Sequence, residues 1–250
     1  MKMQNNAEVK ASSPIRTSLY EREGSMWGRL KRPSPRPALF EECRSDDSDL
    51  CHELTDRYGF TPEEMHRAAE RYHLGRSKSG KTIFWMIDEL GIVRDGHLDD
   101  GWVSSMLKAR CPEFLRDWYP HHCLFGQHQL SIVNCPLGFA AWPVQELSIG
   151  VVESEKTAVI LSEVYPQTLW LAYAYPLNLT IDLFEPLQGH TVTLFPRTDP
   201  NQDNYYAALE FADQVHRRYH LDCRVSSLLE DNATPAQKSA EIDLADFLFT

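Results

Sequence analysis

The sequence predicts an α/β fold: a parallel sheet with flanking helices, preceded by a small α+β subdomain that contains a β-hairpin. Two patterns and the composition carry that expectation. From Ser148 onward, short apolar runs of strand length alternate with helical stretches, the order expected of a parallel sheet covered on both faces. Before them, KTIFWMIDELGIVRDGHL has two apolar halves around a turn at Glu89–Gly91, which is a hairpin signal. With 250 residues, 42% hydrophobic and 24% charged, the chain can bury a full core without disulfides or metals.

The elements follow in order. Residues 1–38 are poor in aliphatics and rich in Ser, Pro and Arg (RLKRPSPRP), too polar to offset the entropy of ordering, so they read as a disordered basic arm. Residues 39–143 make the α+β subdomain and residues 144–250 the parallel-sheet domain. A helix is expected over Thr61–Leu74, where Thr61 and Glu64 make a capping box, Pro62 takes the first helical position and Gly75 stops it. The hairpin is followed by a short strand near Trp102–Leu107 and a loop over Gln127–Gln145. In the second domain IGVV is a buried strand, Glu155–Tyr165 a helix and Thr168–Ala174 a strand. A loop or short helix through Leu187 leads to a strand at Thr191–Phe195. A long amphipathic helix over Asn204–Tyr219, a strand at Asp222–Val225 and helices at Pro235–Ala240 and Leu244–Phe249 complete the chain.

The net charge of −11 is uneven: residues 1–38 carry +5 and the remaining body −16. An acidic body repels a phosphate backbone unless metal ions or a local basic patch intervene. That excludes a plain DNA-coating protein and suits a carboxylate-rich, cation-binding site. No apolar run approaches the roughly 18 residues of a membrane span, and the start lacks the apolar segment of a secretory signal. The six cysteines contain no CxxC pair and read as reduced thiols. The expectation is a cytoplasmic protein with no membrane partner.

Two tempting motifs are set aside. Residues 75–82, GRSKSGKT, fit the phosphate-loop pattern letter for letter. That loop works because a strand delivers its glycines to a helix N-terminus, whereas here a helix precedes the motif and a strand follows it. An exposed helix-to-strand link is expected, with no ATP site. His121, His122, Cys123 and His128 crowd together with Cys111 and Cys135 nearby, but their spacing matches no paired zinc-ligand pattern, so zinc is not expected.

The informative stretch is Gly150-Val-Val-Glu153-Ser-Glu155-Lys156-Thr-Ala-Val-Ile160. Glu153 falls where a strand ends and a helix begins, the edge at which open parallel sheets bind ligands. Asp199 and Asp203 follow the strand TVTLF in a corresponding place. If those strands are neighbours, the three carboxylates share a crevice suited to Mg²⁺ or Mn²⁺, with Glu153 as general acid or base. The plainer alternative, that Glu153 favours the start of the following helix, stays open.

VVESEKTAVI resembles the first signature of the toprim domain of primases, topoisomerases and some nucleases: a strand ending in a catalytic Glu, then a helix. The order of TIFWMIDELGIVRDG, the lysine-bearing SSMLKAR, Leu124-Phe125-Gly126 and the glutamate strand resembles the catalytic core of bacterial replicative primases. More closely, YHLGRSKSGKTIFWMIDELGIVRDGH, HHCLFG, VESEKTAVI and LFPRTDP are similar to a toprim-like, primase-related family of bacterial mobile elements of the Bacteroidales type. The resemblance implies a toprim-like sheet, Glu153 as catalytic residue, Asp199 and Asp203 as metal ligands, and Lys108, Lys156 and Arg197 as substrate phosphate contacts. It implies Mg²⁺-dependent nucleotidyl transfer, or toprim-type nuclease chemistry, on nucleic acid, with single-stranded DNA and replication or mobilisation proteins as partners. One departure matters: toprim enzymes carry D-x-D after the third strand, and here Arg197 occupies the place of the first aspartate. A non-catalytic binding module is therefore the alternative expectation.

Overall fold

In the structure, a computed structural model, residues 37–110, 122–133, 148–174 and 179–249 are described. The expected basic arm lies outside the described residues except for its last two positions, which begin a helix. The subdomain boundary expected at residues 143–144 also lies outside them.

Helices α1 (Pro37–Cys43), α2 (Asp49–Asp56) and α3 (Pro62–Arg71) lead the chain. The box that opens α3 is present in full: Thr61 Oγ1 accepts from the Glu64 amide, and the Glu64 carboxylate accepts from the Thr61 amide. The helix ends three residues before the expected Leu74, at Arg71. His73 turns left-handed at φ 51°, with the His73 amide donating to Glu70 and the Leu74 amide to Ala69. A histidine thus takes the place of the expected glycine stop, closing the helix two residues earlier in a Schellman arrangement.

Strands β1 (Gly75–Arg76), β2 (Thr82–Ile87), β3 (Val93–Leu98) and β4 (Gly101–Trp102) make an antiparallel sheet in that order. The β2–β3 hairpin is the expected one. Its turn is tied by Asp88, whose carboxylate accepts from the Leu90 and Ile92 amides and pairs at 2.5 Å with Arg94, both side chains 1% exposed. The GRSKSGKT stretch corrects the expected plain link: Gly75 and Arg76 pair with Ile83 and Thr82, so the motif forms a strand and a hairpin loop.

The strand expected near Trp102–Leu107 is corrected too. After β4, residues Val103–Arg110 form helix α4. Buried Asp95 caps it from β3, taking hydrogen bonds from the Ser104 amide at 3.0 Å and hydroxyl at 2.6 Å. That tertiary cap is invisible to local patterning. Within the expected Gln127–Gln145 loop, Gln127–Gln129 form a 3-10 turn and Leu130–Val133 helix α5; residues 134–145 lie outside the described residues.

The second sheet is wholly parallel. Strands β5 (Ser148–Val152), β6 (Thr168–Ala172), β7 (Thr191–Leu194) and β8 (Asp222–Val225) take the order β6-β5-β7-β8. Helix α6 (Glu155–Val164) connects β5 to β6, a 3-10 segment (Ile181–Leu187) precedes β7, and α7 (Asp203–Tyr219) connects β7 to β8. Strand alternation feeds two cores. Ile149, Val151, Leu169, Leu171, Val192 and Leu194 face α7 and the 3-10 segment. Val152, Trp170 and Ala172 turn the other way, into a core shared with α2, α3, α6 and the hairpin residues Phe84 and Met86. Gly150 leaves room there for the Trp170 ring, which a Cβ would meet at 2.5 Å.

The C-terminal helices α8 (Leu228–Asn232), α9 (Pro235–Ser239) and α10 (Leu244–Phe249) finish the chain, α8 being additional to the expected elements. Leu244 and Ala245 bury in the shared core, and Phe249 meets Tyr58 edge to face. Among the described residues no helix is long and apolar enough to cross a membrane.

Candidate functional site

Because β5 pairs with both β6 and β7, the residues that follow these three strands meet at one sheet edge. The register sets Val152 beside Ala172, so Glu153 and Tyr173 leave the edge together. Arg197 comes back to the same place from the loop after β7. Its Nε lies 3.3 Å from Glu153 Oε2 and its Nη1 3.7 Å from Glu241 Oε2. Glu153 is largely withdrawn from solvent, with 13% of its side chain exposed. Burial pushes its carboxyl above the usual carboxylate range; Arg197 opposes that rise, Asp243 and Glu241 add to it, and hydrogen bonding from Tyr173 opposes it. The Tyr173 phenol is raised in turn, by burial first and then by the Glu153 charge.

A segment from the C-terminal region borders this edge. The Thr198 amide donates to the Ile242 carbonyl at 3.1 Å, and Thr157 on α6 donates to the Asp243 carboxylate. Thr198 Oγ1 also donates to Glu230, which Lys238 neutralises at 2.8 Å. Glu241 itself is left-handed at φ 52°. Both flanking strands and this C-terminal segment therefore supply side chains to Glu153.

The expected ligands go elsewhere. Asp199 is 6% exposed and accepts from the amides of Asn201 at 2.9 Å, Asp203 at 3.0 Å and Asn204 at 2.8 Å. Burial acts to raise its pKa, but those backbone donors outweigh it and hold the carboxyl below the usual range. Its oxygens are committed to the start of α7. Asp203, the first residue of α7, is exposed, and among the described residues its carboxylate has one long contact, 3.4 Å from the Asn201 side-chain amide. Lys156 donates to Glu53 at 2.7 Å and sits 5.6 Å from the Tyr58 ring centre. Lys108 is exposed on α4, in the antiparallel subdomain. Of the six residues singled out from sequence, Glu153 and Arg197 are in direct contact. Among the described residues no three His, Cys, Asp or Glu side chains converge closely enough to hold a metal ion.

The cysteine–histidine group shows structural contacts where it is described. His122 stacks on Trp102 at 4.2 Å, Cys123 is buried, and His128 bonds the Arg71 carbonyl at 3.0 Å, with burial lowering its pKa to about 4. Cys111, His121 and Cys135 lie outside the described residues.

Next to Glu153, the first turn of α6 faces the antiparallel sheet across a cleft of about 240 Å³. His97 Nδ1 and Glu155 Oε1 approach to 2.5 Å across it, and Asp49, Glu53 and Asp99 also line it. Burial opposes protonation of His97, but the hydrogen bond and charge of Glu155 outweigh it, so the imidazole pKa is raised.

Sequence reasoning missed Tyr173, Glu241 and Asp243. Tyr173 was within reach, since the residue after a strand neighbouring β5 must leave beside Glu153. Glu241 and Asp243 had no local signal beyond the second T-P-x-Q box, Thr234 to Gln237, which announces α9.

Residues 48–198 match the model of a family described as Domain of unknown function (DUF6371). The chain belongs to this family. The DUF6371 match takes in the antiparallel sheet, β5 to β7, Glu153, Tyr173 and Arg197. It stops one residue before Asp199 and leaves α7, β8 and the C-terminal segment outside. No curated protein matches the chain.

Proposed function

We propose that the protein is a toprim-like, primase-related module of a mobile element that binds nucleic acid or a replication partner, and that its edge site holds its ligand without turning it over. The observation that carries this reading is the Arg197–Glu153 ion pair. A guanidinium is a permanent cation, and here it occupies the carboxylate that would anchor Mg²⁺. Mg²⁺ dehydrates reluctantly and demands near-octahedral oxygen ligands. With Asp199 bound to three amides and Asp203 turned to solvent, the residues present do not fit a divalent ion.

A second reading, nucleotidyl transfer or nuclease chemistry with Glu153 as acid or base, draws on one observation: a carboxyl whose pKa burial raises above the usual carboxylate range, the direction general acid–base catalysis uses. The deciding experiment pairs anisotropy of a fluorescein-labelled oligo-dT with primer synthesis on single-stranded DNA in Mn²⁺, both using the full chain. Binding with no primers is the expected result. Robust primers that disappear in Glu153→Gln establish the catalytic reading instead, and absence of any oligonucleotide binding removes the nucleic-acid branch of the proposal.

A further inference from the structure

The GRSKSGKT hairpin loop takes no part in the Glu153 site, yet it forms the rim of a separate cavity of about 460 Å³. The walls are mostly apolar: Ile83 and Trp85 from β2, Leu98 from β3, and Val103, Met106 and Leu107 from the first half and middle of α4. Ser77, Lys78, Ser79 and Lys81 stand at the mouth. The rim is preformed. The Ser77 amide donates to Lys81 O at 2.9 Å, the Gly80 amide to Ser77 O at 3.0 Å, and Gly80 O accepts from the Asp49 amide at 3.1 Å. Lys81 is oriented by Asp100 at 3.3 Å. Lys78 is exposed at the loop tip, and among the described residues no carboxylate pairs with it.

Size, lining and charge agree on one kind of guest. Small-molecule pockets run from about 300 to 1,000 Å³ and combine apolar walls with a few placed polar groups. Here the wall offers one ring donor, the Trp85 indole, whose Nε1 has no hydrogen-bond partner among the described residues, and both lysines come from one loop. In a body of −16, two lysines and two hydroxyls beside a single carboxylate, Asp100, leave a local excess of one positive charge at an apolar cavity. We propose that this cavity binds a small amphipathic anion: an aliphatic or aromatic body seated against Ile83, Val103 and Met106, and one carboxylate, sulfonate or phosphate head at Lys78 and Lys81. The loop that imitates a nucleotide-binding motif in its letters would thus bind an anion through two side chains, without a helix N-terminus.

A matched pair of probes tests this on the full chain: 8-anilinonaphthalene-1-sulfonate and its neutral relative N-phenyl-1-naphthylamine, followed by fluorescence. The sulfonate should bind at least about fivefold more tightly, the order expected of one partly exposed charge contact. Lys78→Glu should remove that preference while leaving the neutral probe unchanged. Lys78 holds no part of the fold together, so the variant should melt like the parent. Met106→Trp should fill the cavity and weaken both probes together. Dodecanoate should displace the sulfonate, and ATP should not. Equal binding of the two probes, indifference to Lys78→Glu, indifference to Met106→Trp, or displacement by ATP in preference to dodecanoate would each overturn the assignment.

Discussion

Removing the guanidinium from the sheet edge is the sharpest perturbation available. In Arg197→Met the aliphatic stem is kept and Glu153 loses the guanidinium charge that opposes its rise, while Asp243 and Glu241 remain. Breaking a fully buried ion pair costs about 3–5 kcal/mol. The Arg197 side chain is 33% exposed, so solvent screens the pair, and about 1–2 kcal/mol is expected at pH 8. In a chain of this size that corresponds to roughly 3–6 °C in Tm. The sign follows from Glu153, whose folded pKa already lies above the ordinary value and rises further in the variant. A carboxyl raised on folding destabilises where it must ionise, so the deficit is full above its folded pKa. It fades as pH falls towards about 4.3, where the unfolded chain also protonates. Urea denaturation of both proteins at pH 4 to 8 measures this, and Glu153→Gln in the Arg197→Met background should recover most of the loss. A pH-independent deficit, or none at all, would refute the claim that Arg197 serves as the resident cation of this edge.

Three further outcomes are expected. Asp199→Ala should cost about 1–2 kcal/mol at pH 7 by freeing three amides at the start of α7. Since the Asp199 pKa is lowered on folding, that contribution is present above about 3.9 and lost as pH falls through the folded value, so parent and variant should converge in acid. Gly126→Ala places a Cβ at φ 84°, 2.9 Å from the Tyr72 ring and 3.1 Å from the Trp170 carbonyl, and about 1–3 kcal/mol should be lost in urea titration. The His97 imidazole should titrate above about 6.5 by NMR and fall back towards that value in Glu155→Gln; stability from this pair is complete below the unfolded pKa and declines as pH rises through the folded one. Titration of His97 at or below the ordinary value in the parent would show that the pair is not formed.

The parallel sheet was legible because its strands are short, apolar and separated by stretches of helical period. Their order was also within reach, since Glu153 and the loop after TVTLF had to be neighbours to form any site. Helix α4 was not legible, because Val103-Ser104-Ser105 opens it only with Asp95 capping from another strand. Helix α2 was missed for a similar reason: at eight residues it is short, and the Asp49 carboxylate at its start is fixed by the Thr82 amide 33 positions away. At the site, Arg197 in place of a carboxylate could be noticed from sequence, but its two partners could not, since Glu241 lies 44 positions later. Asp199 shows the limit of spacing arguments. Residues after a strand can face a crevice or fold back onto the next helix, and here local backbone donors won.

The buried Asp88–Arg94 pair carries an implication for the history of the hairpin. Each side chain is 1% exposed, so losing either one removes the opposite charge from beside an ion held in the core. That costs about 3–5 kcal/mol, a large part of the roughly 5–15 kcal/mol by which domains are stable at all. Replacing both at once with well-packed apolar residues is, by contrast, often neutral or stabilising. Two viable forms of the hairpin are therefore separated by a single-substitution valley on either side. Descendants of one ancestral gene should carry both charges or neither, and a chain with only one should carry a compensating change within reach of the Asp88 carboxylate.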